Sequence, residues 1–177
     1  IFEASTVADY YERYFYWDGT TITEVPNGVQ FGEQIMFNDA GSVLLARSAT
    51  MSLGPISDRG VIVTSTTPVP QGGQFASIVG VNRPVLNSSG QVAFGADVSY
   101  GAPVSNGIWI WTGSAFATVA TSGLAPGGGL LDNLDDVTPV FTDSGLVFFL
   151  APTTLGFTPN RRIFMSDGIQ TVGLITE

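Results

Sequence analysis

Polar turns and apolar runs alternate along this chain in a phrase written three times: NDAGSVLL from Asn38 to Leu45, NSSGQVAF from Asn87 to Phe94, and TDSGLVFF from Thr142 to Phe149. Asn or Asp at the first position and Gly at the fourth is the preference of a type I turn. Each phrase is therefore predicted to fold a short strand (Ile35–Phe37, Pro84–Leu86, Pro139–Phe141) back on a longer one. Aligned on its last apolar residue, the phrase sets anchors at Phe2, Leu45, Phe94 and Phe149, which are 43, 49 and 55 residues apart in turn.

A second pattern keeps the same register. YFYWDGTTITEV (Tyr14 to Val25), IWIWTGSAFATV (Ile108 to Val119) and RIFMSDGIQTVG (Arg162 to Gly173) each read as strand, two-residue turn, strand. Asp18-Gly19 and Asp167-Gly168 are the predicted central pairs of type I′ turns, which need positive φ at both central residues. Thr112-Gly113 is a weaker version. The second repeat departs from the pattern, since Gly60 to Gly73 (GVIVTSTTPVPQGG) has room for a third strand and little for a fourth. The connectors repeat as well: Gly72 to Phe94 aligns without a gap on Gly127 to Phe149.

Each repeat thus becomes a four-stranded antiparallel meander, with boundaries near residues 1–33, 34–81, 82–136 and 137–177 in a single repeat domain. Strands such as GIWIWT are apolar at successive positions, so both of their faces are expected to be covered. One meander cannot cover its own two faces, and neighbours must stack on it. The expectation is an all-β fold: a β-propeller-like array of about four antiparallel four-stranded blades, either a small closed ring or, as its unfinished ends favour, an incomplete one, with a β-sandwich as the alternative. The first repeat starts after its turn and the fourth stops before its connector. Missing chain or another copy of this one is expected to complete the ring.

Composition supports a folded β protein. Hydrophobic residues are 44% of the 177 and charged residues 12%, which argues against disorder. Twenty-two glycines and ten prolines suit many short strands and tight turns. No window of a dozen residues keeps a helical apolar stripe free of Gly or Pro. The net charge of −9, from six Arg and no Lys against fifteen acids, removes the basic patch that nucleic acid or an anionic membrane surface would need. No apolar run has the roughly 18 residues of a membrane span. The chain opens at Ile1 inside a strand-like run, which reads as a processed chain or a piece of a longer one.

The pattern Asn-x-x-Gly-x-Val-x-Phe, then Gly-Ile-x-x-Trp-x-Gly, then Val-Ala-x-x-Gly-x-Ala-Pro-Gly is clearest from Asn87 to Gly127, as NSSGQVAF, GIWIWTG and VATSGLAPG. It resembles the repeats of uncharacterised exported bacterial proteins with propeller-type tandem repeats, some of which carry a C-terminal sorting anchor. The resemblance implies a propeller fold and an extracellular or cell-surface location. It implies no catalytic residues, because that family has no settled activity.

The side chains missing from the chain narrow the chemistry further. With no His or Cys, a Ser-His-Asp triad, a Cys-His pair and a His-based zinc site cannot be assembled from this chain alone. Without Lys, a Schiff base or a P-loop is excluded too. Paired carboxylates remain, as in glycoside hydrolysis. Yet Asp18, Asp39, Asp58, Asp143 and Asp167 sit in turn phrases, where such side chains bond their own local backbone. Glu3, Glu12, Glu24, Glu33 and Asp97 lie in or beside strands with nothing to pair them.

Two features invite ligands. Asp132, Asp135 and Asp136 in LDNLDD, with Asn133, offer hard oxygens to calcium, and the aligned connector ASIVGV carries no acid, so the fold does not require them. The bland alternative is a solvated acidic loop, and no other cofactor is expected. The aromatic residues Tyr11, Tyr14, Tyr16 and Trp17, with the pair Trp109 and Trp111, are candidates for stacking on sugar rings, or else for packing between blades. Alternation sets Trp109 and Trp111 on one face of their strand and Ile108 and Ile110 on the other.

The functional expectation is a non-catalytic extracellular structural or interaction module that associates with itself. A carbohydrate-binding propeller is the alternative and a carboxylate-based glycan enzyme a distant third. The partners expected are further copies of the chain and, on the second reading, glycans; nucleic acid and membrane insertion are not expected.

Overall fold

The computed structural model describes residues 2–5, 12–17, 19–24, 33–55, 58–78, 83–99, 104–126, 128–134, 137–155 and 158–175. Within them every regular element is an antiparallel strand, in four sheets, with no helix among the described residues. The first sheet holds β1 (Phe2–Ser5), β2 (Glu12–Trp17) and β3 (Ile22–Glu24). The second holds β4 (Gln34–Phe37), β5 (Ser42–Arg47), β6 (Thr50–Pro55) and β7 (Gly60–Thr64), paired in chain order. The third holds β8 (Gln74–Ser77), β9 (Val85–Leu86), β10 (Val92–Ser99), β11 (Val104–Trp111) and β12 (Phe116–Thr121). Here β8 and β9 share one edge of β10, and β11 and β12 follow on the other.

The fourth sheet repeats this plan. β13 (Gly123–Leu124) pairs β14 (Leu130–Leu131), and β14 and β15 (Val140–Phe141) share one edge of β16 (Val147–Leu155). β17 (Thr158–Ser166) and β18 (Thr171–Ile175) complete it. The chain is all-β and built of several antiparallel sheets.

Each repeated phrase makes one turn. Gly41, Gly90 and Gly145 N–H groups donate to the carbonyls of Asn38, Asn87 and Thr142 at 3.0, 3.1 and 3.0 Å. The three glycines sit at φ of 79°, 78° and 84°, the left-handed region that glycine enters without steric cost. This is a three-residue hairpin in which a type I turn ends in a left-handed residue. The first side chain of each phrase caps the residue after the glycine: Ser42 N–H donates to Asn38 Oδ1 at 2.9 Å, Gln91 N–H to Asn87 Oδ1 at 2.8 Å, and Leu146 N–H to Thr142 Oγ1 at 3.0 Å.

Three local expectations are corrected. In the hairpin after β17, Asp167 N–H donates to Gln170 O. The two central residues are therefore Gly168 and Ile169, not Asp167 and Gly168. Asp167 stands one place earlier because its Oδ1 accepts from both Ile169 N–H and Gln170 N–H at 2.8 Å, a role open only to the residue before the turn. The hairpin from Thr112 to Ala115 closes the same way.

The second sheet has a full complement of strands: β6 is the third and β7 the fourth. The turn at Ser48-Ala49 that launches β6 contains neither Gly nor Pro, so nothing in the sequence marks it. The third correction concerns the connectors, which are not in ungapped register. Gly72 and Gly73 (φ 94° and 74°) correspond to Gly128 and Gly129 (94° and 86°). Buried Phe75 and Ile78 correspond to buried Leu131 and Leu134. The gap-free alignment would instead match Phe75 to exposed Leu130; core positions set the register, and the second connector is one residue shorter after them.

Among the described residues two core layers lie between successive sheets, and Val43 and Leu45 are buried on the other face of the second sheet. Leu44, Ala46, Met51 and Val63 of the second sheet meet Val92, Phe94, Ala96, Val98 and Trp109 of the third, with Phe75 and Ile78 at the edge. On the other face of the third sheet, Ala93, Ile108, Ile110, Val119 and Ala120 meet Val147, Phe149, Ala151 and Phe164 of the fourth. As the alternation predicts, neighbouring residues of β10 and β11 go to opposite layers. Full burial of such aliphatic side chains stabilises by about 1.5–3 kcal/mol each. Phe75 sets its edge against Trp109 at 5.3 Å between ring centres, a favoured aromatic geometry.

Gly107 shows how tightly this layer is filled. A Cβ there would lie 2.6 Å from both the Ala120 carbonyl oxygen and Trp109 Cη2, so the indole occupies the space a side chain would need. Register places Arg162 at the corresponding point of the fourth sheet, opposite Ala151 as Gly107 is opposite Ala96. There Phe164 replaces the tryptophan, and the buried Arg162 fills the room left over, with Nη1 donating to Gly128 O at 3.3 Å.

Candidate functional site

The residues nominated from sequence end up in different surroundings. Trp109 is fully buried in the layer between the second and third sheets, where its ring meets those of Phe75 and Phe94. Trp111 lies on the same face, half-buried, with its ring 4.9 Å from that of Phe116. Trp17 ends β2 and is 59% exposed. Tyr14 and Tyr16 belong to β2, but their side chains lie outside what is described, as does Tyr11 entirely.

Asp132 is exposed and accepts a hydrogen bond from Thr154 Oγ1, while Asp135 and Asp136 lie outside the described residues. The beginning of this acidic loop is fastened to β11: Asn106 Nδ2 donates to Asn133 Oδ1 at 2.9 Å, and Leu134 N–H donates to Asn106 Oδ1 at 3.2 Å. Among the described residues no three carboxylates gather in a group able to hold a metal. Glu33 approaches Arg47, with Oε1 2.7 Å from Nε, though the angle is not that of a hydrogen bond.

Turn-to-turn contacts form a cluster that sequence reasoning missed. Asn38 Nδ2 donates to Asn87 O at 2.9 Å, and Asn87 Nδ2 donates to Thr142 O at 3.3 Å and to Gln91 Oε1 at 2.9 Å. Asn38 and Asn87 thus each cap their own hairpin with the side-chain oxygen and clasp the next turn with the nitrogen. Asn can do both because it carries an acceptor and two donors; Thr142 has no amide, so the row ends there. Asp143, expected to bond its own turn, instead accepts from Ser88 N–H of the preceding turn at 2.8 Å. That bond from the Ser88 backbone, and then one from its side chain, hold the Asp143 carboxyl below its ordinary value.

A second feature is an apolar face. Across the second sheet, Met36, Leu44 and Leu53 stand opposite one another in a row. The third sheet places Val85, Ala93, Ile110 and Ala117 in the same row, and the fourth places Val140, Phe148, Met165 and Val172 there. The first row packs into the layer shared with the third sheet, and the second row into the layer shared with the fourth. On the fourth sheet the row lies on the side away from the third. Val140 is 63% exposed, and beside it Leu150 and Ile163, paired directly, are 46% and 37% exposed. The signal was present in the sequence as a 55-residue offset from Val85 to Val140 and from Ile108 to Ile163.

The first sheet exposes the opposite kind of face. Trp17 and Ile22 flank its hairpin as a direct pair, at the place held by Trp111 and Phe116 in the third sheet and by Ser166 and Thr171 in the fourth. Trp111 and Phe116 pack toward the second sheet, the preceding one, whereas Ile22, like Trp17, is 59% exposed. Compared with family models, curated proteins and solved structures, this chain finds no match in any of the three.

Proposed function

We propose that this chain is a non-catalytic structural and interaction module made of propeller-type stacked sheets, exported from its cell, and that it associates with copies of itself. One observation carries the reading. Three successive sheets present the same apolar row in the same direction, and on the last of them Val140, Leu150 and Ile163 are exposed. An exposed face of that kind on a folded protein marks a contact surface. The propeller arrangement is favoured over a sandwich because a sandwich sheet buries one face, whereas the third sheet here buries both. Export is supported by the resemblance of the repeat from Asn87 to Gly127.

The test is particle mass by light scattering, with negative-stain images of the same sample. Masses that are multiples of the 18.6 kDa chain, seen as rings or filaments, are expected; a monodisperse single chain at high concentration removes self-association. The carbohydrate-binding alternative now rests on exposed Trp17. It prevails if the chain stays single, binds on a glycan array and loses that binding in Trp17→Ala.

A further inference from the structure

Resting on that reading, we infer that the contact is head-to-tail: the outward row of the fourth sheet docks on the Trp17–Ile22 face of the first sheet of a second copy. Within the chain, contact is always made between unlike faces. The row Met36–Leu44–Leu53 of the second sheet meets the Phe94–Trp109 side of the third, and the row Val85–Ala93–Ile110 of the third meets the Phe149–Phe164 side of the fourth. Each sheet therefore has a leading face, which carries the row, and a trailing face, which receives one.

Two faces of this series carry exposed large apolar side chains among the described residues. The fourth sheet shows a leading face, with Val140, Leu150 and Ile163 exposed, and the first shows a trailing face, with Trp17 and Ile22 exposed. They are complementary in kind, and neither is complementary to itself. A symmetric dimer through either face alone would set leading on leading or trailing on trailing, a contact made nowhere in this fold. Joining leading to trailing between copies repeats the contact already made twice inside the chain, and such a heterologous interface closes a ring or grows a filament. The row of turns supports a different join at this point. Thr142 stands where Asn87 stands in the third sheet and has no side-chain amide to donate onward, so the apolar face makes this join without that clasp.

The experiment uses two variants of the whole chain, Leu150→Thr/Ile163→Thr and Trp17→Thr/Ile22→Thr. Threonine keeps the strand preference while removing apolar area, and circular dichroism of each variant checks that the sheets remain. Each variant alone is expected to run as a single chain. Mixed in equal amounts, they are expected to form a 1:1 dimer of twice 18.6 kDa, because each retains the face the other has lost, and to grow no further.

If wild type assembles but either variant assembles equally well, the assignment of faces is wrong while self-association stands. If wild type is a single chain, both fall, and the first sheet closing on the fourth within one molecule becomes the account. Should a double variant lose its sheets, the single changes Ile163→Thr and Ile22→Thr carry the same test, read as the loss of assembly at a concentration where wild type is assembled.

Discussion

Ile108 of the third sheet and Ile163 of the fourth hold the same place, each on the second long strand and opposite a residue of the first, Gly95 and Leu150. Ile108 is sealed and Ile163 is 37% exposed. The residue type and register are the same, yet Ile108 lies in the layer shared with the following sheet and Ile163 keeps exposed surface. Apolar alternation in this chain therefore records a capacity to stack, and position in the series decides whether that capacity is used. Where it is used, the side chain stabilises the fold; where it is not, it is available to another molecule.

Shortening both isoleucines separates the two roles. Ile108→Ala is expected to cost about 2–5 kcal/mol, the range for buried aliphatic truncations, and so a large part of the roughly 5–15 kcal/mol that holds a typical domain together. Ile163→Ala is expected to cost under about 1 kcal/mol in dilute solution, since its surroundings are already partly water. Urea melts of both variants read the difference. Raising the protein concentration sharpens it, because a loss at Ile163 that grows with concentration reports a face being covered by a neighbour. Equal losses for the two residues in dilute solution would mean that the fourth sheet is covered within the single chain.

Asn87 and Thr142 extend the comparison to the turns. Asn87 is buried, caps Gln91 N–H and clasps Thr142 O; Thr142 caps Leu146 N–H and clasps no following turn. Asn87→Ala loses both functions and is expected to cost roughly 2 kcal/mol, against roughly 1 kcal/mol for Thr142→Ala, which loses bonds within its own turn alone. Chemical denaturation of the two variants is the measurement. If the costs are the same, the amide between turns contributes nothing and the sheets are held in series by their apolar layers alone.

These contrasts follow the line between what was and was not legible in the sequence. Turn phrases with Gly at the fourth position were legible, because the left-handed exit at Gly41, Gly90 and Gly145 suits few other residues. So was the division of Trp109 from Ile108, because strand alternation has a period of two. β6 was hidden because Ser48-Ala49 carries no turn signature. The hairpin at Asp167 was misplaced by one because an Asp-Gly pair serves equally at the first two positions or the central two. For the candidate site, the limit is sequence distance. The bonds Asn38 to Asn87 and Ser88 to Asp143 join residues 49 and 55 apart, and nothing local to either partner announces the other. Burial decides the aromatics in the same way: Trp17 and Trp109 both end up on trailing faces, and only the sheet packed over one of them distinguishes the two.

Two exposed carboxylates, Asp143 and Asp167, make a contrast that pH reads. Asp143 accepts from the turn of the preceding sheet and Asp167 from its own hairpin, Gln170 N–H first and Ile169 N–H second, and both carboxyls are held below their ordinary 3.8. A carboxyl whose folded value is depressed contributes stability that is fully present above the unfolded value and is lost as pH falls through the folded one. Melting of wild type against Asp143→Asn and Asp167→Asn should therefore show a wild-type lead at pH 6 that holds to about pH 4, shrinks below 3.8 and disappears once the folded carboxyls are protonated. Both groups are solvent-exposed, so the lead is small and should weaken in high salt. The comparison lies in assembly: protonating Asp143 loosens a contact between sheets, and protonating Asp167 loosens one within a hairpin. Hydrogen exchange at Ser88 N–H should rise in Asp143→Asn and stay unchanged in Asp167→Asn; a wild-type lead for Asp143 that is flat from pH 6 to pH 3 would show that its charge has no part in joining the turns.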